Sequence, residues 1–293
     1  MHILSLLLAL TITLIWGINF VVVKFCLKSL TPLLLCVFRF LFSSIPAIFF
    51  VEPPKVPFKW IFFYGLIMFA LQFSFLFLGL YLGMEAGLTS LLLQLQVFLS
   101  MFIGIFFFKE RVRSWHVLGC AISFLGIGIV IGHISGSFKI IALFPIFGAA
   151  ICSSIGNLLS KKFNHANSIS LVSWGSLVAW PILLVATFCI QGFDSIVSQL
   201  QQITPSAVLG ICYISYLSTL FAYGTWCWLL ANYPLRTITP FTLLTPIFAL
   251  LSASIFLGEQ LFLWKILAAA LVITGLAINL FGHHILKIPP PFD

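Results

Sequence analysis

Apolar stretches about twenty residues long follow one another along almost the whole chain, each closed by a charge, a proline or a polar cluster. A hydrocarbon layer roughly 30 Å thick is crossed by about 20 apolar residues in a helix. With the breaks as punctuation, spans are predicted near 3–23, 32–51, 59–80, 86–108 and 115–132, and again near 140–160, 169–190, 205–230, 238–257 and 264–282. The pattern predicts an all-α integral membrane protein of ten transmembrane helices. No Lys or Arg precedes the first stretch and no small-residue cleavage site follows it, while Lys24 and Lys28 flank its far end. It is expected to be a membrane helix and not a secretory leader.

The pattern also occurs twice. At a shift of 149, Phe107, Glu110, Trp115, Leu118, Ala121, Gly126 and Ile129 fall on Phe256, Glu259, Trp264, Leu267, Ala270, Gly275 and Ile278. These are seven identities in the 26 positions from Gly104 to Ile129, where composition alone would produce about two or three. Nearer the start, Asn19-Phe-Val-Val-Val-Lys24 resembles Asn157-Leu-Leu-Ser-Lys-Lys162 at a shift of 138, and the 11-residue difference is assigned to a longer loop around 191–204. Residues 1–136 are expected to form a first five-helix repeat and 137–285 a second, with 286–293 as a short cytoplasmic tail. Five is odd, so the two copies are expected to be inverted, with Glu110 and Glu259 on opposite faces. Each of these carboxylates is expected to cap the helix that follows it. Inverted repeats recur in secondary transporters, whose substrate sites lie near the bilayer midplane between the halves.

Composition removes several alternatives. The chain is 62% hydrophobic and 7% charged, with a mean hydropathy of +1.21, whereas a soluble domain carries about 25% charged residues. The net charge of +8 comes from basic residues scattered singly and in short loop clusters. That is an orientation signal, not a phosphate-binding stripe, so no nucleic-acid partner is expected. With the N-terminus in the cytoplasm, the inside loops hold Lys55, Lys59, Lys109, Arg111, Arg113, Lys161, Lys162, Arg236 and Lys287, against Lys24, Lys28, Lys139 and Lys265 outside. Nine against four favours both termini inside. No GxxxxGK[ST] loop occurs, so no nucleotide-hydrolysing motor is present. The seven cysteines form no C-x-x-C pair and the six histidines no metal constellation, so no cofactor or metal is expected and the cysteines read as small buried hydrophobes. The spans hold no clustered acids and no Ser/His arrangement, which argues against an intramembrane enzyme; the repeat argues against a mere scaffold.

Trp16-Gly17-x-Asn19-Phe20 in the first helix, Arg39-Phe40 in the second, and the Glu110 and Gly258-Glu259 junctions, each followed by a Gly in the next helix, carry a resemblance. Over essentially its full length the chain resembles the EamA-type members of the drug/metabolite transporter superfamily. That resemblance implies ten helices in two inverted five-helix repeats. Phe-Val-Glu-Pro-Pro-Lys-Val-Pro (50–57), Gly-Met-Glu-Ala-Gly-Leu-Thr-Ser-Leu (83–91), Leu-Gln-Leu-Gln (93–96), Gly-Asn-Leu-Leu-Ser-Lys-Lys (156–162) and Tyr-Gly-Thr-Trp (223–226) make it most similar to the bacterial exporters of O-acetylserine and cysteine within the family. The implied activity is export of small amino-acid metabolites across the bacterial cytoplasmic membrane, by a monomer or weak dimer; uptake or exchange of a nucleotide, cofactor or other metabolite on the same fold is the alternative.

Polar residues inside the spans are the candidates for contact with such a solute. A charge at the bilayer centre costs roughly 2.5–3.5 kcal/mol on insertion scales, so Arg39, in the second helix, needs a reason to be there. It would attract the carboxylate of an amino-acid-like solute; alternatively it bonds to helix carbonyls or reaches the outer headgroups. Trp16, Asn19, Gln72, Gln94 and Asn157 are further candidates, because an amide in hydrocarbon must find partners. Gln94 and Gln96 lie about 200° apart on a regular helix, so only Gln94 is expected to face the solute. Thr219, Tyr223 and Trp226 recur at helical spacing, with packing as the competing reading. In Thr239-Pro-Phe-Thr-Leu-Leu-Thr-Pro246, Thr242 and Thr245 can present hydroxyls, and Pro240 and Pro246 are expected to kink the helix for gating. All six acidic residues fall in loops or at ends, so the usual mid-membrane proton relay is missing.

Overall fold

The computed structural model describes residues 3–108, 114–133, 137–163, 167–233 and 238–285. Glu110 lies outside these residues, as do Lys109, Arg111, Arg113, Arg236, Lys287 and the 286–293 tail. Every segment expected to be helical is helical: α1 (Ile3–Cys26), α2 (Pro32–Ile48), α3 (Phe58–Tyr81), α4 (86–108), α5 (Ser114–His133), α6 (Ser137–Lys162), α7 (Ser168–Gln191), α8 (205–232), α9 (239–257) and α10 (Leu263–Ile285). No strand occurs among the described residues. Eight of the helices are long and apolar enough to cross a membrane, and Pro32–Ile48 and Phe241–Leu257 are shorter apolar helices. Large apolar side chains such as Phe144, Leu209 and Ile255 are exposed on the outside of the bundle, which only a lipid solvent tolerates in such numbers.

Helix ends follow local chemistry. Pro32 and Pro205 open α2 and α8 in the first turn, where their missing N–H is not needed. The Thr204 hydroxyl accepts from the Ala207 N–H at 3.3 Å, and Asn167 Oδ1 accepts from the Ile169 N–H at 2.9 Å. Gly258 ends α9 in the left-handed region, at φ 66°. The connection around 191–204, expected as a loop, contains a short helix, Phe193–Gln201, set off by Gly192 at φ 74°. Its Gln199 side-chain Oε1 accepts from the Thr31 N–H at 2.8 Å, tying this insertion to the start of α2.

Four helices depart from regular α geometry, in matched pairs. α4 breaks at Gln94, between Ala86–Leu93 and Leu95–Phe108, and α9 changes from a 3₁₀ turn, Thr239–Leu243, to α-helix at Leu244. Residues 94 and 243 differ by the repeat shift of 149. Gly65–Leu71 in α3 and Tyr213–Phe221 in α8 are π-helical, and the same shift carries the first into the second. Irregular turns inside helices commonly mark functional sites, and here the irregularity obeys the internal symmetry.

The α5–α10 pair shows that symmetry most directly. The Ser123 hydroxyl donates to the Val272 carbonyl at 3.1 Å, and 123 and 272 are themselves related by 149. A Cβ at Gly126 would meet the Ala268 carbonyl at 2.8 Å, and one at Gly275 the Gly119 carbonyl at 2.3 Å. Gly126 corresponds to Gly275 and Gly119 to Ala268, so the contacts are reciprocal, as a two-fold relation requires. Small residues let these two backbones touch. Nothing among the described residues lies within 4 Å of a Cβ at Gly128 or Gly132, so neither glycine is needed for this contact.

One end of the bundle is cross-linked by charges. Glu259, in the α9–α10 turn, accepts from Lys24 Nζ at 3.0 Å, from the Ala86 N–H at 2.8 Å and from the Gly87 N–H at 3.3 Å. Lys265, buried at the start of α10, pairs with Glu85 and donates to the Gln260 carbonyl at 2.6 Å. The carboxylate expected to cap its own following helix instead caps α4 in the other half, because the turn brings it over the first-turn N–H groups of Ala86 and Gly87 there. This end is where α4 begins and α9 stops, so these counterparts run in opposite directions. At the other end the 49–57 connection is held to α7 by Ser170, which donates to the Glu52 carbonyl, and by Trp174, which donates to Val51 at 3.3 Å.

Candidate functional site

Between the two halves lies a cavity of about 250 Å³ lined from α1, α2, α3, α4, α6, α8 and α9. Nine of the ten residues expected to contact solute border it: Trp16, Asn19, Arg39, Gln72, Gln94, Asn157, Tyr223, Thr242 and Thr245. Thr219 does not. Its hydroxyl donates to the Ile214 carbonyl, five residues back, at 2.7 Å. The i→i+5 bonding of this π segment alters the spacing assumed for the Thr219, Tyr223, Trp226 face, and the neighbouring Ser218 borders the cavity instead.

The break at Gln94 also changes the expectation for α4. On a regular helix Gln94 and Gln96 would point to different sides; across the interruption both line the cavity. Gln96 is bound to α6, its side-chain oxygen taking the Ser153 hydroxyl and its carbonyl the Ser154 hydroxyl at 2.9 Å. Leu93 and Gln96 are the repeat counterparts of Thr242 and Thr245, and all four border the cavity. Extending the repeat alignment into α9 was the signal that would have found Leu93 and Gln96. Of the two prolines, Pro240 lies in the 3₁₀ turn and Pro246 in the first turn of the helix that follows. Both therefore sit where few intrahelical N–H bonds are lost, and the change of helix type falls between them.

Arg39 is the one charged side chain among the described residues that line the cavity. It is 2% exposed, so it reaches no headgroup. Its guanidinium carbon sits 4.2 Å above the Phe73 ring centroid, with Phe40 and Phe77 at 5.8 and 5.9 Å. Nη1 donates to Asn19 Oδ1 at a long 3.5 Å, and Nε has no partner. A cation held by ring faces and one weak hydrogen bond is incompletely satisfied, which in a low-dielectric site is costly. Three other buried polar atoms bordering the cavity also lack partners: Gln72 Oε1, Ser218 Oγ and Thr245 Oγ1. Trp16 forms part of an aromatic wall, with centroids 5.2 Å from Tyr223 and 5.4 Å from Trp226, and its Nε1 donates to the Ser218 carbonyl at 3.2 Å.

Of the lining residues, Phe20, Phe73, Leu76 and Ser90, toward the charged end, are all buried. The repeat-related amides divide the same way: Asn19 is 6% exposed, while Asn157 is exposed. An exact two-fold would make them equal, so the two halves are not equivalently exposed. Among the described residues no group of His, Cys, Asp or Glu could hold a metal ion, and Cys26, Cys36, Cys120 and Cys152 are buried free thiols.

Known proteins agree with this architecture. Along 284 residues the chain is 37% identical to a "Probable amino-acid metabolite efflux pump" of Salmonella typhimurium, covering 95% of each chain. The Escherichia coli protein of the same description is 36% identical over 281 residues, 94% of each. An uncharacterised Bacillus subtilis transporter is 26% identical over 95% of this chain and 97% of its own. A crystal structure of a protein with 17% identity matches 98% of this chain and 100% of its own with a TM-score of 0.70, which establishes the fold alone. The model of the EamA-like transporter family matches twice, over residues 3–132 and 140–281. Two copies of one family unit over nearly the whole chain agree with the internal repeat and with the reciprocal α5–α10 contact, and the chain belongs to the EamA-like transporter family.

Proposed function

We propose that this membrane transporter exports small amino-acid metabolites, of the cysteine and O-acetylserine class, across the bacterial cytoplasmic membrane. In this reading ten helices span the bilayer with both termini in the cytoplasm, and residues 1–136 and 137–285 are the two inverted repeats. The charged end carrying Lys24 and Lys265 then faces outward, and the cavity is read as accessible from the cytoplasm. Rocking of the repeats about the α5–α10 contact would close it there and open it outside, which is alternating access on the inverted-repeat plan. The observation that carries the reading is Arg39: a buried guanidinium without a carboxylate partner, lining a cavity of amino-acid size. A solute carboxylate satisfies it by charge-assisted hydrogen bonds. Trp16, Asn19, Gln72, Gln94, Asn157, Tyr223, Thr242 and Thr245 supply the remaining contacts, and Pro240 and Pro246 flank the joint of the moving α9. The names of the Salmonella and Escherichia relatives support the substrate class.

The test is uptake and counterflow of labelled cysteine and O-acetylserine in proteoliposomes, with and without a pH gradient. Saturable flux of either solute, lost in a well-folded Arg39→Ala variant, is the expected result. No flux of either in the wild type would refute the substrate class, and a wider counterflow panel would then search among other metabolites.

A further inference from the structure

We propose that the cavity recognises its solute through the carboxylate alone: the anionic group is obligatory, the ammonium is dispensable, and solutes of net positive charge are rejected. This rests on the reading that a solute carboxylate reaches Arg39, and it concerns what the rest of the cavity does with the solute's other end.

The electrostatics of the lining are one-sided. Arg39 is its single charge, and no Asp or Glu is present among the described residues that border it. An α-amino acid bound there finds a cation for its carboxylate and no anion for its ammonium. What it finds instead are neutral groups. Gln72 Oε1, Ser218 Oγ and Thr245 Oγ1 are buried and without partners. An amide oxygen or a hydroxyl accepts as readily from a neutral N–H as from an ammonium. Acylating the amine keeps one N–H for these acceptors and removes a positive charge that would sit near Arg39 in a medium of low dielectric. Masking the carboxylate does the reverse: it leaves Arg39 Nε unsatisfied and adds an uncompensated cation beside it. The ring faces of Phe73, Phe40 and Phe77 close over the guanidinium, so water at that end is a poor substitute for an anion.

The closing experiment uses one skeleton in three charge forms: the zwitterions cysteine and S-methylcysteine, the anion N-acetylcysteine and the cation cysteine methyl ester. S-methylcysteine controls for the thiol, leaving both charged groups intact. Each is tested as an inhibitor of labelled cysteine counterflow in proteoliposomes, which avoids passive leakage of the ester. The rule predicts that N-acetylcysteine and S-methylcysteine compete within a few-fold of cysteine. The ester should be weaker by about tenfold or more, the usual consequence of losing hydrogen bonds to a charged group. Free lysine, which carries a second positive charge, should be as poor as the ester. In Arg39→Gln the preference for carboxylate-bearing forms should collapse, while Arg39→Lys should retain it. The same four compounds are also read by the rise in melting temperature of detergent-solubilised wild type, which reports binding without transport. If neither cysteine nor O-acetylserine flows, the proposed substrate class fails, and this second readout still decides the recognition rule. Equal stabilisation by ester and N-acetylcysteine, or none by N-acetylcysteine where cysteine stabilises, would overturn the inference. No stabilisation by any of the four overturns it as well.

Discussion

Glu259 joins three elements from two repeats, so its replacement tests the packing directly. In Glu259→Ala the Ala86 and Gly87 N–H groups, now 2.8 and 3.3 Å from its two oxygens, lose their acceptor. A hydrogen bond to a charged group contributes about 1.5–3 kcal/mol when one partner is removed. The Lys24 pair adds less, because Lys24 is 24% and Glu259 11% exposed by side chain, and water screens such pairs to about 0–1 kcal/mol. With the 3.3 Å bond weak and the exposed Lys24 pair near the low end of its range, the loss for Glu259→Ala is set mainly by the single 2.8 Å bond, at about 2–3 kcal/mol. At roughly 2–4 °C per kcal/mol for a chain of this general size, the melting temperature should fall by about 4–12 °C. Glu259→Gln keeps an acceptor for one N–H and should lose only about 1 kcal/mol, from the ion pair and the helix-end charge. Lys24→Met should cost no more than Glu259→Gln, and the double variant should show coupling between the two positions. The assay is thermal unfolding of the purified protein in detergent, followed by tryptophan fluorescence. A fall of under about 1 °C in Glu259→Ala, against the several degrees expected, would refute the idea that this carboxylate fastens α4 to the other half. No loss in the Gln variant would refute the part assigned to its charge.

Further outcomes follow from close approaches and hydroxyls. Gly275→Ala should destabilise more than Gly126→Ala, since the added Cβ meets Ser123 Oγ at 2.2 Å in the first and Ala268 O at 2.8 Å in the second. Gly128→Ala, with nothing within 4 Å, should be neutral or slightly stabilising in the same melting assay. Ser123→Ala removes the bond to Val272 and should cost about 0.5–1.5 kcal/mol, with no change in counterflow KM. Gln72→Leu should raise that KM several-fold, whereas Thr219→Val should leave it unchanged and lower only the melting temperature.

Much of the candidate site was legible because hydrocarbon is an unforgiving solvent. An Arg, an Asn or a Gln inside an apolar span must face something polar, and that reasoning alone brought Arg39, Asn19, Gln72, Gln94 and Asn157 to one place. It failed where the helix was not an α-helix. Ser218 in place of Thr219, and Gln96 alongside Gln94, depend on a π segment and on a break, and neither changes composition or hydropathy enough to be read. The partner of Glu259 was likewise hidden: a turn of known composition does not say which helix start lies beneath it.

The membrane class, the helical segments to within a few residues, and the repeat are all determined by the order of residues, since each rests on a period or a run that one segment carries by itself. Which helix touches which, where the backbones come within a hydroxyl of each other at Ser123 and Val272, and which of two equivalent amides is sealed depend on contacts between residues more than a hundred positions apart. These are decided by packing. The chain encodes two nearly equivalent halves, and only their assembly breaks the equivalence, burying Asn19 while leaving Asn157 exposed.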